Sequence, residues 1–392
     1  MILHIDLDCF FVAAARIKDK RLIGKNVAVV GGGLNEDFGE TNSDINNSVV
    51  LSASYEARKY GVKSAMVLKQ AKVLCKNLIV VKSDYHFYKE LSKKLYKFLY
   101  TFTPDIEQFS IDEFFLDLSG TNAMKDPLKF AKFLQNEILN KFELPSSIGI
   151  SDAKFIAKLA TDLAKPFGIK IIKKDDFDTV LKNIDISKFP GVGKSALKRL
   201  NKYGIFTIGD VKGSKFIFEK LGKSGIKLYE NITGSGKNLV ETNPKRKSFS
   251  HGRTFKAISN RDEIKRRILI LCRYLCFDIY KFGQNPTKFE LKIKYLDKIT
   301  IIRSLTYKFK FYEGVLHKIM NELFQRCDEL INKPIIYISV GVSGFVEEKN
   351  VEKTLFNQIK QSDIKIDKAV QVIREKYGVN SLLFAKEIKA KN

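Results

Sequence analysis

Two acidic strand segments constrain this chain more than any other feature. "MILHIDLDCFFVAAA" opens the chain with alternating apolar residues that carry Asp6 and Asp8 before Cys9, Phe10 and Phe11. "FSIDEFFLDLSG" sets Asp112 and Glu113 side by side among Phe109, Ile111, Phe114, Leu116 and Leu118. Unpaired charge in a strand buried on at least one face is costly, so something cationic is expected nearby. The two segments are expected to meet side by side in one sheet.

At 392 residues the chain exceeds one ordinary core, and several domains are expected. With 44% hydrophobic and 11% aromatic residues it reads as globular. No apolar run reaches the length of about 18 residues that marks a transmembrane helix, and the N-terminus lacks the basic start and apolar core of a signal peptide. A cytoplasmic protein with no membrane partner is expected. Cys9, Cys75, Cys272, Cys276 and Cys327 form an odd, scattered set without a CxxC pair. Cys272 and Cys276 read as core thiols, since no second ligand pair follows at zinc spacing. Four histidines, none in HExxH, leave little room for a histidine-built metal site or a hydrolytic triad.

Net charge is the loudest global signal: 69 Lys and Arg against 44 Asp and Glu give +25. The excess is concentrated, because residues 245–311 alone hold 18 basic and 5 acidic side chains. That concentration favours a polyanion partner over mere solubility.

Residues 1–165 alternate strands and helices, which gives an α/β or α+β core. "NVAVVGGG" reads as strand and turn, and 34–47 as a polar loop. "SVVLSASYEARKYGV" runs from a strand into a short helix. Tyr85 to Phe102 has helical periodicity, a further helix runs from Asp126 to Phe142, and a strand at Ser147 to Ser151 leads to a helix stopped by Pro166 and Gly168. From 166 to 236 short helices alternate with glycine turns. Pro190-Gly191-Val192-Gly193 leaves amide N–H groups open before the helix at Lys194, where a phosphate can sit, although a plain helix–helix turn looks similar. "VETNPKRKSFSHGRTF" reads as a basic linker into a new domain. Beyond it, "KFELKIKYL" and "SLTYKFKF" alternate apolar residues with lysines. With "IIYISVGVSGF" and helices near 261–282 and 315–332, they predict a small sheet backed by two helices, its outer face basic. The stretch 346–392 holds "EKTLF" and a helical "DKAVQVIREKYG".

The carboxylates suit metal chemistry. Asp6, Asp112 and Glu113 offer hard oxygen ligands to Mg²⁺, and two such ions activate a 3′-hydroxyl and neutralise a leaving pyrophosphate. Asp8 has a bland reading as a cap, and Asp117 as a turn closer. Ser52, Tyr55 and Arg58 at spacing three, with Lys165 at a helix end, suit a triphosphate, while an ordinary amphipathic helix explains Tyr55 and Arg58 equally.

Together "HIDLDCFF", "SASYEARKYGV", "FSIDEFFLDLSG", "IGISDAKFIAKLATDLAKPFG" and "FPGVGKSALKRL", in this order and at these separations, closely resemble the Y-family translesion DNA polymerases of the DNA polymerase IV branch. The resemblance runs from Met1 to about Phe345. It implies a multidomain α+β right hand: palm at 1–10 and 75–165, fingers at 11–74, thumb with helix-hairpin-helix at 166–240, little finger at 241–345 and a C-terminal tail at 346–392. It implies two Mg²⁺ ions on Asp6, Asp112, Glu113 and the Leu7 carbonyl. Phe11 falls on the steric gate beside Phe10, and Ser52, Tyr55, Arg58 and Lys165 on the dNTP triphosphate contacts. Primer–template DNA is the implied partner, with Gly191, Gly193, Lys194, Lys245, Arg246, Arg253, Lys292 and Lys308 as candidate DNA contacts. Low fidelity, no proofreading, a role in damage tolerance, monomeric catalysis and a place with the nucleoid follow from the same resemblance. A sliding-clamp peptide of the Gln-Leu-x-Leu-Phe kind keeps only Leu355 and Phe356. The chain departs from the family at Ala14-Ala15, where Val-Glu is usual, and at Asp152-Ala153, where Asn is common before the lysine. A nucleotide cyclase also uses paired acids, but needs neither the hairpin nor the basic domain nor the gate. A non-catalytic scaffold relative is expected to have lost the acids, which are present.

Overall fold

The computed structural model describes residues 1–31, 38, 48–236, 239–352 and 361–388. The chain divides into two compact units, one of Met1–Gly33 with Ile45–Pro244, the other of Leu34–Asp44 with Lys245–Asn392.

In the first unit, β1 (Ile2–Leu7) runs into α1 (Phe10–Lys18), followed by β2 (Val27–Val30), β3 (Val50–Ala53), α2 (Tyr55–Arg58), α3 (Leu68–Leu74) and β4 (Ile79–Lys82). Next come α4 (Tyr85–Leu99), β5 (Ile106–Gln108), β6 (Glu113–Asp117), α5 (Pro127–Phe142), β7 (Ser146–Ser151), α6 (Lys154–Ala164) and β8 (Ile169–Ile172). The main sheet has the order β5-β6-β1-β7-β8, and β3-β2-β4 form a second, smaller sheet. The two acidic segments do meet, with Asp6 opposite Glu113 in the antiparallel β1–β6 pair. All six residues of β1 are buried, because it is the central strand and both faces are covered. Leu3, Ile5 and Leu7 pack with α4 and α5 in one apolar cluster, while Ile2 packs with Phe115 and Ala157 of α6. At Gly149 a Cβ atom would lie 2.1 Å from the Ala157 carbonyl oxygen, so only glycine lets α6 rest directly on β7.

Two local expectations are corrected. Asp112 lies not within a strand but in the turn between β5 and β6, where the Phe109 and Ser110 N–H groups both donate to the Glu113 carbonyl. The turn puts the carboxylate at the end of the sheet rather than in its interior, half-buried beside the pocket. Ser52 belongs to β3 rather than to a helical face with Tyr55 and Arg58. The helix starts one residue after Ser54, whose side chain accepts from the Ala57 N–H.

The rest of this unit carries α7 (Lys194–Lys202), α8 (Lys215–Lys220) and α9 (Lys223–Thr233). Gly191 takes φ +97°, and Gly193 occupies the N-cap of α7.

The second unit is a four-stranded antiparallel sheet in the order β11-β10-β12-β9, built from β9 (Ser248–Ile258), β10 (Asn285–Tyr295), β11 (Thr300–Thr306) and β12 (Ile335–Val346). The helices α10 (Arg261–Phe282) and α11 (Glu313–Cys327) back it. Phe289, Leu291, Ile293 and Tyr295 face the core as their alternation predicts. Cys272, Cys276 and Cys327 are buried in the same core. The basic linker read across 240–255 contains instead the start of β9, an eleven-residue strand whose His, Arg and Gly disguise its alternation. β11 ends at Thr306, so Lys308 and Lys310 leave the ladder expected for them. The chain there is held by Asn285, whose amide donates to the Phe309 carbonyl and whose Oδ1 accepts from the Phe311 N–H. Phe38, from the loop that began as a polar stretch, stands edge-on to Phe255 and lies under the Arg267 guanidinium in this unit.

Within the C-terminal stretch, α12 (Gln361–Tyr377) packs on α10, and Asp367 and Arg374 tie it to Glu313 at the start of α11. Arg374 pairs with Glu313 at 3.0 Å and Arg273 with Glu387 at 2.9 Å, all four side chains nearly inaccessible. Leu355 and Phe356, the residual clamp anchor, lie outside the described residues.

His317, edge-on to Phe384, gives this unit a pH dependence. Burial, reinforced by the Arg374 and Lys386 charges, lowers its pKa from 6.5 to about 4. The folded state therefore refuses a proton that the unfolded chain accepts. The stability this brings is complete above the unfolded pKa and is lost as pH falls from 6.5 toward 4. Linkage sets the loss at up to about 3 kcal/mol. Denaturant unfolding of the intact chain and of His317→Phe across this range is expected to show the variant losing less stability in acid. Parallel profiles would refute it.

Candidate active site

One pocket of about 200 Å³ in the first unit is lined by Asp6, Leu7, Phe10, Phe11, Asp112 and Lys165. Ser52, Tyr55 and Arg58 form a further wall, with Asp8, Cys9, Leu51 and Ser64 between them. The sheet register explains the gathering: the end of β1 delivers Asp6 and Leu7, and the turn before β6 delivers Asp112 beside them, with the Leu7 N–H donating to the Asp112 carbonyl at 3.1 Å. The helix α1 then points Phe10 and Phe11 back over the same end. Of the candidate carboxylates only Glu113 stands outside the lining.

Each carboxylate is held by its own donor. The Lys165 ammonium lies 2.7 Å from Asp6 and 2.9 Å from Asp162. Ser110 donates its hydroxyl to Asp112 at 2.5 Å, and Lys158 pairs with Glu113. Lys165 and Lys158 are the cations that the acidic strands called for, while Asp112 is held by a neutral hydroxyl. Burial pushes the Asp6 carboxyl up to about 7; Lys165 opposes the shift, while Glu113 and Asp112 reinforce it. Burial likewise raises Asp112, Glu113 adding to it against the Ser110 hydrogen bond. Although burial alone would lower the Lys165 ammonium, Asp6 and Asp162 hold it above its ordinary value.

As they stand, the acids do not close into a ligand cluster, and no group of three or more His, Cys, Asp or Glu side chains poised for a metal occurs among the described residues. Their chemistry nevertheless fits a divalent cation. They are hard oxygen donors, crowded enough to raise one another's pKa, and their present partners are lysine and serine side chains that a divalent cation would displace.

Phe11 stacks on Tyr88 of α4, with ring centroids 4.5 Å apart and planes at 14°. Phe10, 2% exposed, tilts against both rings. The Arg58 guanidinium sits 5.1 Å over the Tyr55 ring and donates to the Ala53 carbonyl. Ala14 and Ala15 are buried on α1.

Several residues that sequence reasoning passed over belong here. Cys9 and Ser64 line the pocket, Lys158 holds Glu113, and Asp8 is a buried hub rather than a cap. The i, i+4, i+11 series Lys154, Lys158 and Lys165 was visible in the sequence. Each of the three pairs with a different carboxylate: Glu107, Glu113 and Asp6.

The candidate DNA contacts are spread over both units. Gly191, Gly193 and Lys194 mark the turn into α7. In the second unit, Lys292 points outward from β10, Arg253 lies exposed on β9, and Arg246 stacks on Phe249. Lys308 pairs with Glu352 at 3.0 Å. Part of the charge excess of 245–311 is spent internally: Arg261, Arg266, Arg267 and Arg273 are all in ion pairs with acids.

Comparison with known proteins places the chain in a family. The impB/mucB/samB family model matches residues 5–162, its HHH motif 174–205 and its C-terminal domain 246–355. DNA polymerase IV of Alkaliphilus oremlandii is 32% identical over 97% of both chains, and that of Bacillus anthracis is 31% identical over 93% of this chain and 85% of its own. Among solved structures, a Y-family DNA polymerase chimera of Dbh and Dpo4 superposes with a TM-score of 0.76 at 22% identity, covering 88% of this chain and 99% of its own. DinB from Sulfolobus solfataricus covers the same shares with a TM-score of 0.58 at 22% identity. The fold is that of a right-hand polymerase. The chain belongs to the impB/mucB/samB family, the Y-family translesion DNA polymerases, in the DNA polymerase IV branch, and is a DNA-directed DNA polymerase.

Proposed function

We propose that this chain adds dNTPs to a primer 3′-end at the pocket between β1, the β5–β6 turn and α2, with low fidelity and no proofreading. Asp6, Asp112, Glu113 and the Leu7 carbonyl would hold two Mg²⁺ ions. When bound, the ions supply an activated 3′-hydroxyl and charge neutralisation for the departing pyrophosphate. In-line phosphoryl transfer asks the protein for positioning and electrostatics more than covalent chemistry. Arg58 and Lys165 contribute the positive charge for the triphosphate, Ser52 contributes its hydroxyl, and the Tyr55 ring walls the same side of the pocket. Phe11 excludes the ribose 2′-hydroxyl, and Phe10 backs it. The observation that carries this reading is the convergence of Asp6, Asp112, Arg58 and Lys165 on one pocket closed by Phe11.

The domain plan goes with it: palm at 1–10 and 75–165, fingers at 11–74, thumb at 166–240, little finger at 241–345. The glycine turn before α7 grips the DNA backbone without reading sequence, and the outward lysines of β10 ride the phosphates. The protein acts as a monomer in the cytoplasm, with the nucleoid, in DNA damage tolerance, and meets the sliding clamp through Leu355 and Phe356. No helix among the described residues is long and apolar enough to cross a membrane.

Primer extension tests the reading: purified chain, a labelled primer on a longer template, all four dNTPs, and Mg²⁺ or EDTA. Extension that follows the template and stops in EDTA is expected. Tight, salt-sensitive DNA binding without any extension would overturn it.

A further inference from the structure

We propose that Asp8 is a positioning residue for nucleotide binding: its buried carboxylate ties the Tyr55 side chain and the turn after Lys165 to the palm sheet, so that two walls of the pocket are set by one group. The inference rests on the reading of this pocket as the dNTP site. Asp8 follows β1 directly and is 3% exposed, and its backbone N–H donates to the Pro145 carbonyl at 2.8 Å. Three donors from three distant segments converge on its side chain. The Tyr55 phenol donates to Oδ1 at 3.0 Å, the Phe167 N–H donates to Oδ2 at 2.7 Å, and the Ser147 hydroxyl lies 3.0 and 3.1 Å from the two oxygens. All three are neutral, so they hold the carboxylate in place without making it part of an ion pair. A buried carboxylate with a full set of donors is rigid, because losing any one leaves an acceptor unsatisfied.

Both anchored segments carry pocket residues. Tyr55 begins α2, which also carries Arg58. Phe167 takes φ +49°, a region that bulky residues rarely adopt, and so needs a fixed partner to stay there. Its neighbour Gly168 is packed so closely that a Cβ atom would lie 2.1 Å from the Ala164 carbonyl oxygen. The turn therefore has little room to relax around Lys165 except by giving up its bond to Asp8. Tyr55 has a single proton to donate, and in this structure Asp8 receives it. Burial and the Asp8 charge raise the Tyr55 pKa, which keeps that proton in place. Tyr55 thus acts on the nucleotide largely through the orientation that Asp8 imposes. Asp8 itself borders the pocket, whereas Ser147 donates to it and does not, so Ser147 separates the effect of anchoring from direct contact with substrate.

The test is single-nucleotide insertion kinetics on a primer–template, with thermal midpoints, for the intact chain and for Asp8→Asn, Ser147→Ala, Tyr55→Phe, the Asp8→Asn/Tyr55→Phe double variant and Lys165→Ala. Asp8→Asn keeps the side-chain volume but puts an amide among three donors. It is expected to raise KM for dNTP about tenfold with kcat within about threefold. Ser147→Ala is expected to raise KM about threefold, and it serves alone if Asp8→Asn fails to fold. The double variant is expected to fall short of the product of its parts, because both changes break the same bond. Unchanged KM in Ser147→Ala and Asp8→Asn, with Lys165→Ala raised, would overturn the role of Asp8 alone. So would equal losses of kcat and thermal midpoint with KM constant, the mark of a carboxylate that only holds the palm together. Unchanged KM in Lys165→Ala would overturn the reading of the pocket itself, and the inference with it.

Discussion

Asp112→Ala and Glu113→Ala are each expected to lower nucleotide addition by at least about 10³-fold while primer–template affinity changes less than about threefold. Asp112 sits at the pocket, oriented by the Ser110 hydroxyl, and Glu113 is held from the other side by Lys158. Neither carboxylate is an attractive group for a polyanion, so removing one would take away the proposed metal ligation without removing a phosphate contact. On the proposed reading, duplex binding would draw instead on the α7 turn and on the outward lysines of the second unit, which both variants keep. Glu113→Ala has a further consequence, because Lys158 loses its partner and its freed charge adds locally to DNA attraction. That variant is expected to bind DNA at least as tightly as Asp112→Ala. Single-turnover insertion and fluorescence anisotropy at one fixed salt concentration measure the two quantities separately. Parallel loss of insertion and binding would refute the separation of roles.

The sequence disclosed elements whose pattern is local and hid those that depend on distant partners. The helix α4 was legible because Tyr88, Leu91, Leu95 and Leu99 recur at helical spacing and all four are buried. The helix α6 was equally legible, since Pro166 and Gly168 stop it. The strand β9 was not, because its His, Gly and Arg residues read as linker chemistry and its ladder partner β12 lies about ninety residues on. The two acidic strands were placed side by side correctly, yet Asp112 itself proved to sit in a turn, a difference that apolar neighbours on both sides conceal. Asp6, Asp112, Tyr55, Arg58 and Lys165 all reached one pocket, as their chemistry demanded. Asp8 was missed because its significance lies in Tyr55, Ser147 and Phe167 converging from three separate segments, and no spacing encodes that. The concentration of charge in 245–311 was legible, but not its partial neutralisation. Arg273 finds Glu387 more than a hundred residues away, through the C-terminal stretch that packs on α10.

Phe11→Ala is expected to lower discrimination between dNTP and rNTP by about 10²-fold, with dNTP insertion changed much less. The argument turns on rigidity. A ring excludes a 2′-hydroxyl only if it cannot move aside, and Phe11 is stacked face to face on Tyr88, which is itself 2% exposed. Phe10 closes the gap, tilted at 46° to Phe11 and 60° to Tyr88. An added hydroxyl at the sugar must then compress this trio, and compressing a packed aromatic cluster costs about 1–3 kcal/mol, a factor of about 10 to 10² in rate. Phe11→Ala removes the wall, whereas Phe11→Leu shortens it, so the leucine variant is expected to fall between the other two. The same logic extends to the backing ring. Tyr88→Ala leaves Phe11 in place but frees it to rotate, so it also admits ribonucleotides, at some cost in stability because Tyr88 is core. The measurement is kcat/KM for one rNTP and its matching dNTP opposite the same template base. If the ratio stays constant in Phe11→Ala, Phe11 is a packing residue of α1 and the gate lies elsewhere. If it moves in Phe11→Ala but not in Tyr88→Ala, the ring excludes the hydroxyl by presence alone and the stack behind it serves only the core.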